Sequence, residues 1–130
     1  MIEHTTNLRV RYKETDQMGV AYYSNYLVWF EVARTELLRD AGHTYSELEK
    51  FQGLWLMVVE ANCKYKMPAK YDDVLDIYCT IGSIGNTSMS FNYIVKRGSD
   101  ILAEGMTSHV FTDKSARPKR VPSIIKEVFK

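Results

Sequence analysis

One long amphipathic stretch followed by a train of strand-like runs constrains this chain more than any other feature. Across residues 24–41, Leu27, Phe30, Ala33, Leu37 and Ala41 recur at spacings of three and four, with Tyr26 and Leu38 beside them. That is the pattern of a helix with one apolar face. Ser24 or Asn25 is placed to cap its start, and Gly42 to stop it. Such a helix is about 27 Å long, enough to cross the face of a sheet. Before it, residues 7–12 alternate apolar and polar as a half-buried strand does. After it, residues 44–53 read as a short helix or turn and a loop. Strands are then expected over 54–65, 73–81, 87–97 and 101–112, the last two joined by a tight Gly98-Ser99-Asp100 hairpin. A polar loop over 113–120 leads to Pro122, which is suited to open a short C-terminal helix. Short breaks between strands favour antiparallel pairing. The expectation is an α+β two-layer fold: one long helix against one five-stranded antiparallel sheet.

The chain has 130 residues, which suits a single domain over 1–130 with a sizeable core. Its 17 basic and 16 acidic residues leave a net charge of +1, against the basic surplus that general nucleic-acid binding needs. No apolar run reaches membrane-spanning length, and residues 1–6 lack the apolar core of a signal peptide, so a cytoplasmic protein is expected. Cys63 and Cys79 have no CxxC spacing and fall inside strand-like runs, which favours free thiols over a structural disulfide. No HExxH or clustered Cys/His spacing suggests a metal.

The chemistry concentrates in residues 15–26, Thr-Asp-Gln-Met-Gly-Val-Ala-Tyr-Tyr-Ser-Asn-Tyr. Asp16 stands just before the helix in an unusually apolar turn. A turn or capping aspartate is the common reading of such a residue. Three features weigh towards a base or nucleophile. Gly19 permits close backbone approach to a ligand. Met18 and Val20 make the turn apolar, and Tyr22, Tyr23 and Tyr26 crowd aromatic surface around it. The adjoining helix N-terminus is a candidate oxyanion site. The histidines compete poorly: His4 lies in a terminus expected to fray, His43 follows the helix-stopping glycine, and His109 reads as a hydrogen-bonded sheet residue. Nothing such as GxSxG announces a nucleophilic serine, and Gly82-Ser83-Ile84-Gly85 reads as a strand turn rather than a phosphate loop. Glu31 and Arg34 read as a surface ion pair. Lys114, Arg117, Lys119 and Arg120 form either a solvated loop or a small phosphate-binding patch.

Residues 9–26, Arg-Val-Arg-Tyr-Lys-Glu-Thr-Asp-Gln-Met-Gly-Val-Ala-Tyr-Tyr-Ser-Asn-Tyr, resemble the signature of the 4-hydroxybenzoyl-CoA thioesterase family of hot-dog proteins. Phe30-Glu31, Ala33-Arg34-Thr35-Glu36 and the segment 68–75, Pro-Ala-Lys-Tyr-Asp-Asp-Val-Leu, extend the likeness. Within the family it is similar to the bacterial acyl-CoA thioesterases of the branch associated with the Tol-Pal envelope system. The resemblance implies a hot-dog fold, a sheet wrapped around the long helix. It implies dimers as the smallest working unit, commonly joined into homotetramers, with each site shared between two chains. The implied reaction is hydrolysis of an acyl-CoA thioester, with CoA as part of the substrate and no further cofactor. Asp16 matches the essential aspartate, as nucleophile or as general base. The backbone N–H of Tyr23 matches the donor to the thioester carbonyl. Tyr12 matches a tyrosine near the site, Gly19 and Val20 match the substrate-facing turn, and Arg117 and Arg120 become a clamp for CoA phosphates. Many relatives of the Tol-Pal branch carry histidine where this chain has Tyr23, so that branch's substrate is not implied. A phenol does not take over the acid–base work of an imidazole at neutral pH. A non-catalytic acyl-CoA or acyl-carrier binding module of the same fold is the alternative expectation.

Overall fold

The computed structural model describes residues 3–42 and 45–128. Strand β1 (Glu3–Arg9) is followed by a 3-10 turn (Tyr12–Glu14) and helix α1 (Asn25–Asp40). Helix α2 (Tyr45–Gln52) leads to β2 (Trp55–Tyr65), β3 (Val74–Ile84), β4 (Ser88–Arg97), β5 (Asp100–Thr112) and the short α3 (Ser123–Val128). One antiparallel sheet in the order β1-β3-β4-β5-β2 carries α1 on one face, so the α+β expectation holds.

The strands form because β3, β4 and β5 alternate. In β4, Met89, Phe91, Tyr93 and Val95 face inward and are buried, while the residues between them face out. From α1 the core receives Tyr26, Trp29, Phe30, Ala33, Leu37 and Leu38. The Phe30 ring stacks on Tyr93 at 4.2 Å and 5°. Each of the larger apolar side chains contributes about 1.5–3 kcal/mol by leaving water. Gly105 of β5 makes room for this packing, since a Cβ there would lie 2.5 Å from the Phe30 ring.

Several details depart from expectation. β1 begins earlier and ends at Arg9, so His4 is not frayed but pairs opposite Cys79, and Tyr12 sits in the 3-10 turn rather than in a strand. Beyond Arg9 the ladder gives way to a loop contact, with Val10 N–H donating to the Asp73 carbonyl and Asp72 N–H to the Val10 carbonyl. The helix takes no side-chain cap from Ser24, whose backbone is already helical. Gly42, at φ +91, ends it as expected. Ser83 and Ile84 belong to β3, which runs past Ile81 through a bulge. Arg34 is buried rather than a surface residue, because its place four after Phe30 and three before Leu37 puts it on the apolar face. His109 is buried in β5, its Nε2 2.7 Å from the Thr107 hydroxyl, which in turn meets the Tyr93 hydroxyl at 2.6 Å. Both cysteines are free. His43 lies outside the described residues.

Candidate active site

The turn at Asp16 is fixed by its own backbone. Asp16 N–H donates to the Val20 carbonyl at 2.9 Å and Gly19 N–H to the Asp16 carbonyl at 3.0 Å. Gly19 takes φ +80, a conformation that a side chain would strain. Asp16 Oδ1 accepts the Met18 N–H at 2.8 Å, which orients the carboxylate. The aspartate therefore closes a turn of its own and does not cap α1. Its half-exposed side chain borders a cleft of about 530 Å³.

The walls of that cleft come from two segments. Val20, Tyr22 and Tyr23 continue from the Asp16 turn into the start of α1, and Tyr65 and Met67 close the opposite side. Tyr22 and Tyr23 rings meet at 4.6 Å. The Tyr65 ring stands edge-on to Tyr26 at 4.9 Å and to Tyr23 at 6.5 Å. Asp16 and Tyr23 thus line one space. At the helix start, Asn25 N–H donates to the Tyr22 carbonyl and Tyr26 N–H to the Tyr23 carbonyl. The N–H groups of Tyr23 and Ser24 have no acceptor among the described residues, as expected of the first turn of a helix.

Two anchors hold the cleft in place. Beneath the turn lies Glu14, whose carbonyl accepts both the Tyr22 N–H and the Asn25 Nδ2, each at 2.8 Å. Its carboxylate accepts Arg11 N–H at 2.7 Å and the Trp29 indole N–H at 3.1 Å. Burial works to raise the pKa of Glu14, but the Arg11 N–H, the indole and the Arg11 guanidinium together hold it below its ordinary value. The second anchor is the loop after β2. Ala21 N–H donates to the Ala69 carbonyl at 2.8 Å, and Ala69 N–H to the Tyr26 hydroxyl at 3.3 Å. Arg97 grips this loop through Asp73 at 2.8 Å and the Pro68 carbonyl at 3.2 Å.

Not every expected site residue meets at the cleft. Gly19 shapes the turn without lining the space. Tyr12 is 78% exposed and stacks edge-on against Tyr71, away from the lining. Arg117 and Arg120 are exposed in the loop after β5, with Arg117 paired to Asp113 at 3.3 Å. Tyr65 pairs with Ala103 at one end of the β2–β5 ladder, and Trp55 with Thr112 at the other. About 30 Å of strand therefore separates the basic loop from the cleft of its own chain. Conversely, Tyr65 and Glu14 escaped the sequence reading. Glu14 lay inside the signature but carried no periodic signal, and Tyr65 was visible only as the end of a strand run.

Among the described residues, no three His, Cys, Asp or Glu side chains converge as a metal site, and no helix is long and apolar enough to cross a membrane. Residues 18–104 match the family model of the Thioesterase superfamily. YneP of Bacillus subtilis is 37% identical over 84% of this chain and 79% of its own length. The acyl-CoA thioester hydrolase YbgC of Escherichia coli is 33% identical over 95% of this chain and 92% of its own. The crystal structure of the DHNA-CoA thioesterase from Staphylococcus aureus superposes with a TM-score of 0.93 at 28% identity, covering 99% of this chain and 89% of that one.

Proposed function

Because this chain belongs to the Thioesterase superfamily, we propose that it hydrolyses acyl-CoA thioesters in the cleft between Asp16 and the start of α1. The observation that supports the reading is that one largely apolar space is lined by the Asp16 carboxylate and by Tyr23, whose N–H has no acceptor among the described residues. With Oδ1 held by Met18, Oδ2 is the oxygen turned to chemistry. It either takes a proton from water, whose oxygen then attacks the thioester carbon, or attacks that carbon itself to give a mixed anhydride that water later opens. In both routes the carbonyl oxygen gains charge, and the Tyr23 N–H with the helix dipole stabilises it. The C–S bond breaks, and the thiolate leaves and takes up a proton. A backbone donor does not depend on the side chain it belongs to. Tyrosine in place of histidine at position 23 therefore preserves the reaction class. We place the chain near the Tol-Pal-associated branch on its residue 9–26 signature, with Tyr23 as the departure, and in the cytoplasm.

The working unit proposed is a homodimer joined through β2. This strand is an edge of the sheet, and it exposes Met57, Val58 and Val59. An exposed apolar edge invites pairing with a second chain. Antiparallel pairing of two β2 edges sets the Thr112 end of one copy beside the Tyr65 end of the other. The loop carrying Arg117 and Arg120 then approaches the neighbouring cleft, which accounts for its distance from its own. Leu27, Val28 and Val32 on the outer face of α1 are also exposed, and offer the surface for joining dimers into a tetramer.

Thiol release from a panel of aliphatic and aromatic acyl-CoAs tests the reading. Asp16→Asn should fold like the parent and lose at least about a hundredfold in kcat, the scale of a deleted catalytic acid–base group. An Asp16→Asn protein that hydrolyses the panel at the parental rate would sink the assignment. A parent that binds acyl-CoA without releasing thiol would be a binding module.

A further inference from the structure

Tyr65 makes a contact that wall packing alone does not require. Its hydroxyl donates to the main-chain carbonyl of Tyr23 at 3.0 Å, across forty-two positions of sequence. Tyr65 is 48% exposed, so burial does not force the phenol to find a protein partner. The accepting carbonyl belongs to Tyr23, the residue whose N–H is assigned to the developing oxyanion. The two peptide planes that meet at the Tyr23 Cα are held from different directions. The Asn25 N–H fixes the Tyr22 carbonyl, whose peptide carries the Tyr23 N–H. The Tyr65 hydroxyl and the Tyr26 N–H fix the carbonyl of the following peptide. The Tyr26 bond is long, at 3.3 Å, so the phenol is the shorter of the two restraints.

We propose that Tyr65 is a positioning residue for thioester hydrolysis: its hydroxyl fixes the Tyr23 carbonyl and, through the Tyr23 Cα, steadies the adjoining peptide whose N–H receives the developing oxyanion. The inference rests on the thioesterase reading. A helix start is the part of a helix most prone to fray, because its first turn lacks internal bonds. A donor that must meet an oxygen as charge develops works by being fixed beforehand. Tyr65 supplies that restraint from the end of β2, a strand anchored to β5.

Tyr65→Phe removes one oxygen from a half-exposed side chain and leaves the ring in the wall. We expect kcat to fall about tenfold, the kinetic equivalent of one neutral hydrogen bond, with KM within about twofold and an unchanged melting temperature. The amide resonances of Tyr23 and Ser24 in 15N-labelled protein should shift and show more motion in 15N relaxation. A residue that only lines the wall would raise KM instead, leave kcat alone and leave both amides in place, and that result overturns the proposal. Tyr65→Leu gives a second comparison, losing the ring as well as the hydroxyl, and should add a rise in KM to the same fall in kcat. If the parent releases no thiol from any substrate, the thioesterase reading fails, whereas the amide spectra still decide whether Tyr65 holds Tyr23.

Discussion

The indole N–H of Trp29 donates to the carboxylate of Glu14 at 3.1 Å, tying the second turn of α1 to the 3-10 turn that leads into Asp16. Glu14 is 5% exposed, and its carbonyl also holds Tyr22 and Asn25. The two halves of the candidate site, a turn and a helix start, are therefore bolted to one residue. Glu14→Ala strands the indole N–H in the core and frees the Arg11 backbone. It should cost about 2 kcal/mol of stability, read as a lower urea midpoint with unchanged slope. A double-mutant cycle with Trp29→Phe should return a coupling above about 0.5 kcal/mol. Additive single variants would mean that the contact does not stabilise the fold.

His109 makes stability depend on pH in a window of its own. Burial first, and the nearby Arg34 cation second, lower its pKa from 6.5 to about 4. The unfolded chain binds this proton below pH 6.5 and the folded one only near pH 4. Stability is thus fully present above the upper value and is lost as pH falls towards the lower one, by about 3 kcal/mol at most. Urea unfolding at pH 7, 5.5 and 4 should show this slope, and His109→Gln should flatten it. Glu14, also held below its ordinary 4.5, contributes stability that is lost only at more acid pH. A His109→Gln protein with the parental slope between pH 7 and 5.5 would place the titration elsewhere.

Gly105 is a packing requirement rather than a turn. An added Cβ would lie 2.5 Å from the Asn62 carbonyl oxygen and 2.5 Å from the Phe30 ring. Neither neighbour yields easily: the carbonyl belongs to the paired β2, and the ring is stacked on Tyr93. Gly105→Ala should destabilise by about 2 kcal/mol, as overpacking of a fixed core does. Differential scanning calorimetry checks this, and a melting point equal to the parent's would show that α1 can slide.

The legible parts of this molecule are those with a short-range cause. The periodicity of α1 and the alternation of β4 write their own signals, and Asp16 and Tyr23 line one cleft because only seven positions of chain separate them. Non-local causes left no mark. β2 follows α2 and precedes β3, yet it pairs with β5 at the opposite edge, so the placement of Tyr65 depends on a register formed across the sheet. The same register carries Arg117 and Arg120 away from their own cleft. Arg34 misled for a different reason: its charge outweighed its spacing, although positions 30, 34 and 37 share one helix face. Residues 3–6 gave no apolar signal because β1 is an edge strand with polar side chains on both faces.

If each site takes Asp16 from one chain and Arg120 from the other, two damaged proteins can repair one another. Asp16→Asn alone should lack activity at both clefts of a dimer. Arg120→Glu should raise KM for acyl-CoA severalfold and leave a thioester of pantetheine, which lacks the nucleotide phosphates, unaffected. A mixed dimer of these two variants holds one doubly damaged site and one with both native residues. Random exchange makes about half of all dimers mixed, each with one good site of two. Activity at low acyl-CoA should thus return to about a quarter of the parent's after unfolding and joint refolding. Separate refolding followed by mixing should restore less if the dimers exchange slowly. Joint refolding that gives only the average of the two variants would mean that Arg120 does not serve the neighbouring chain's cleft, and the basic loop would then be a solvated surface.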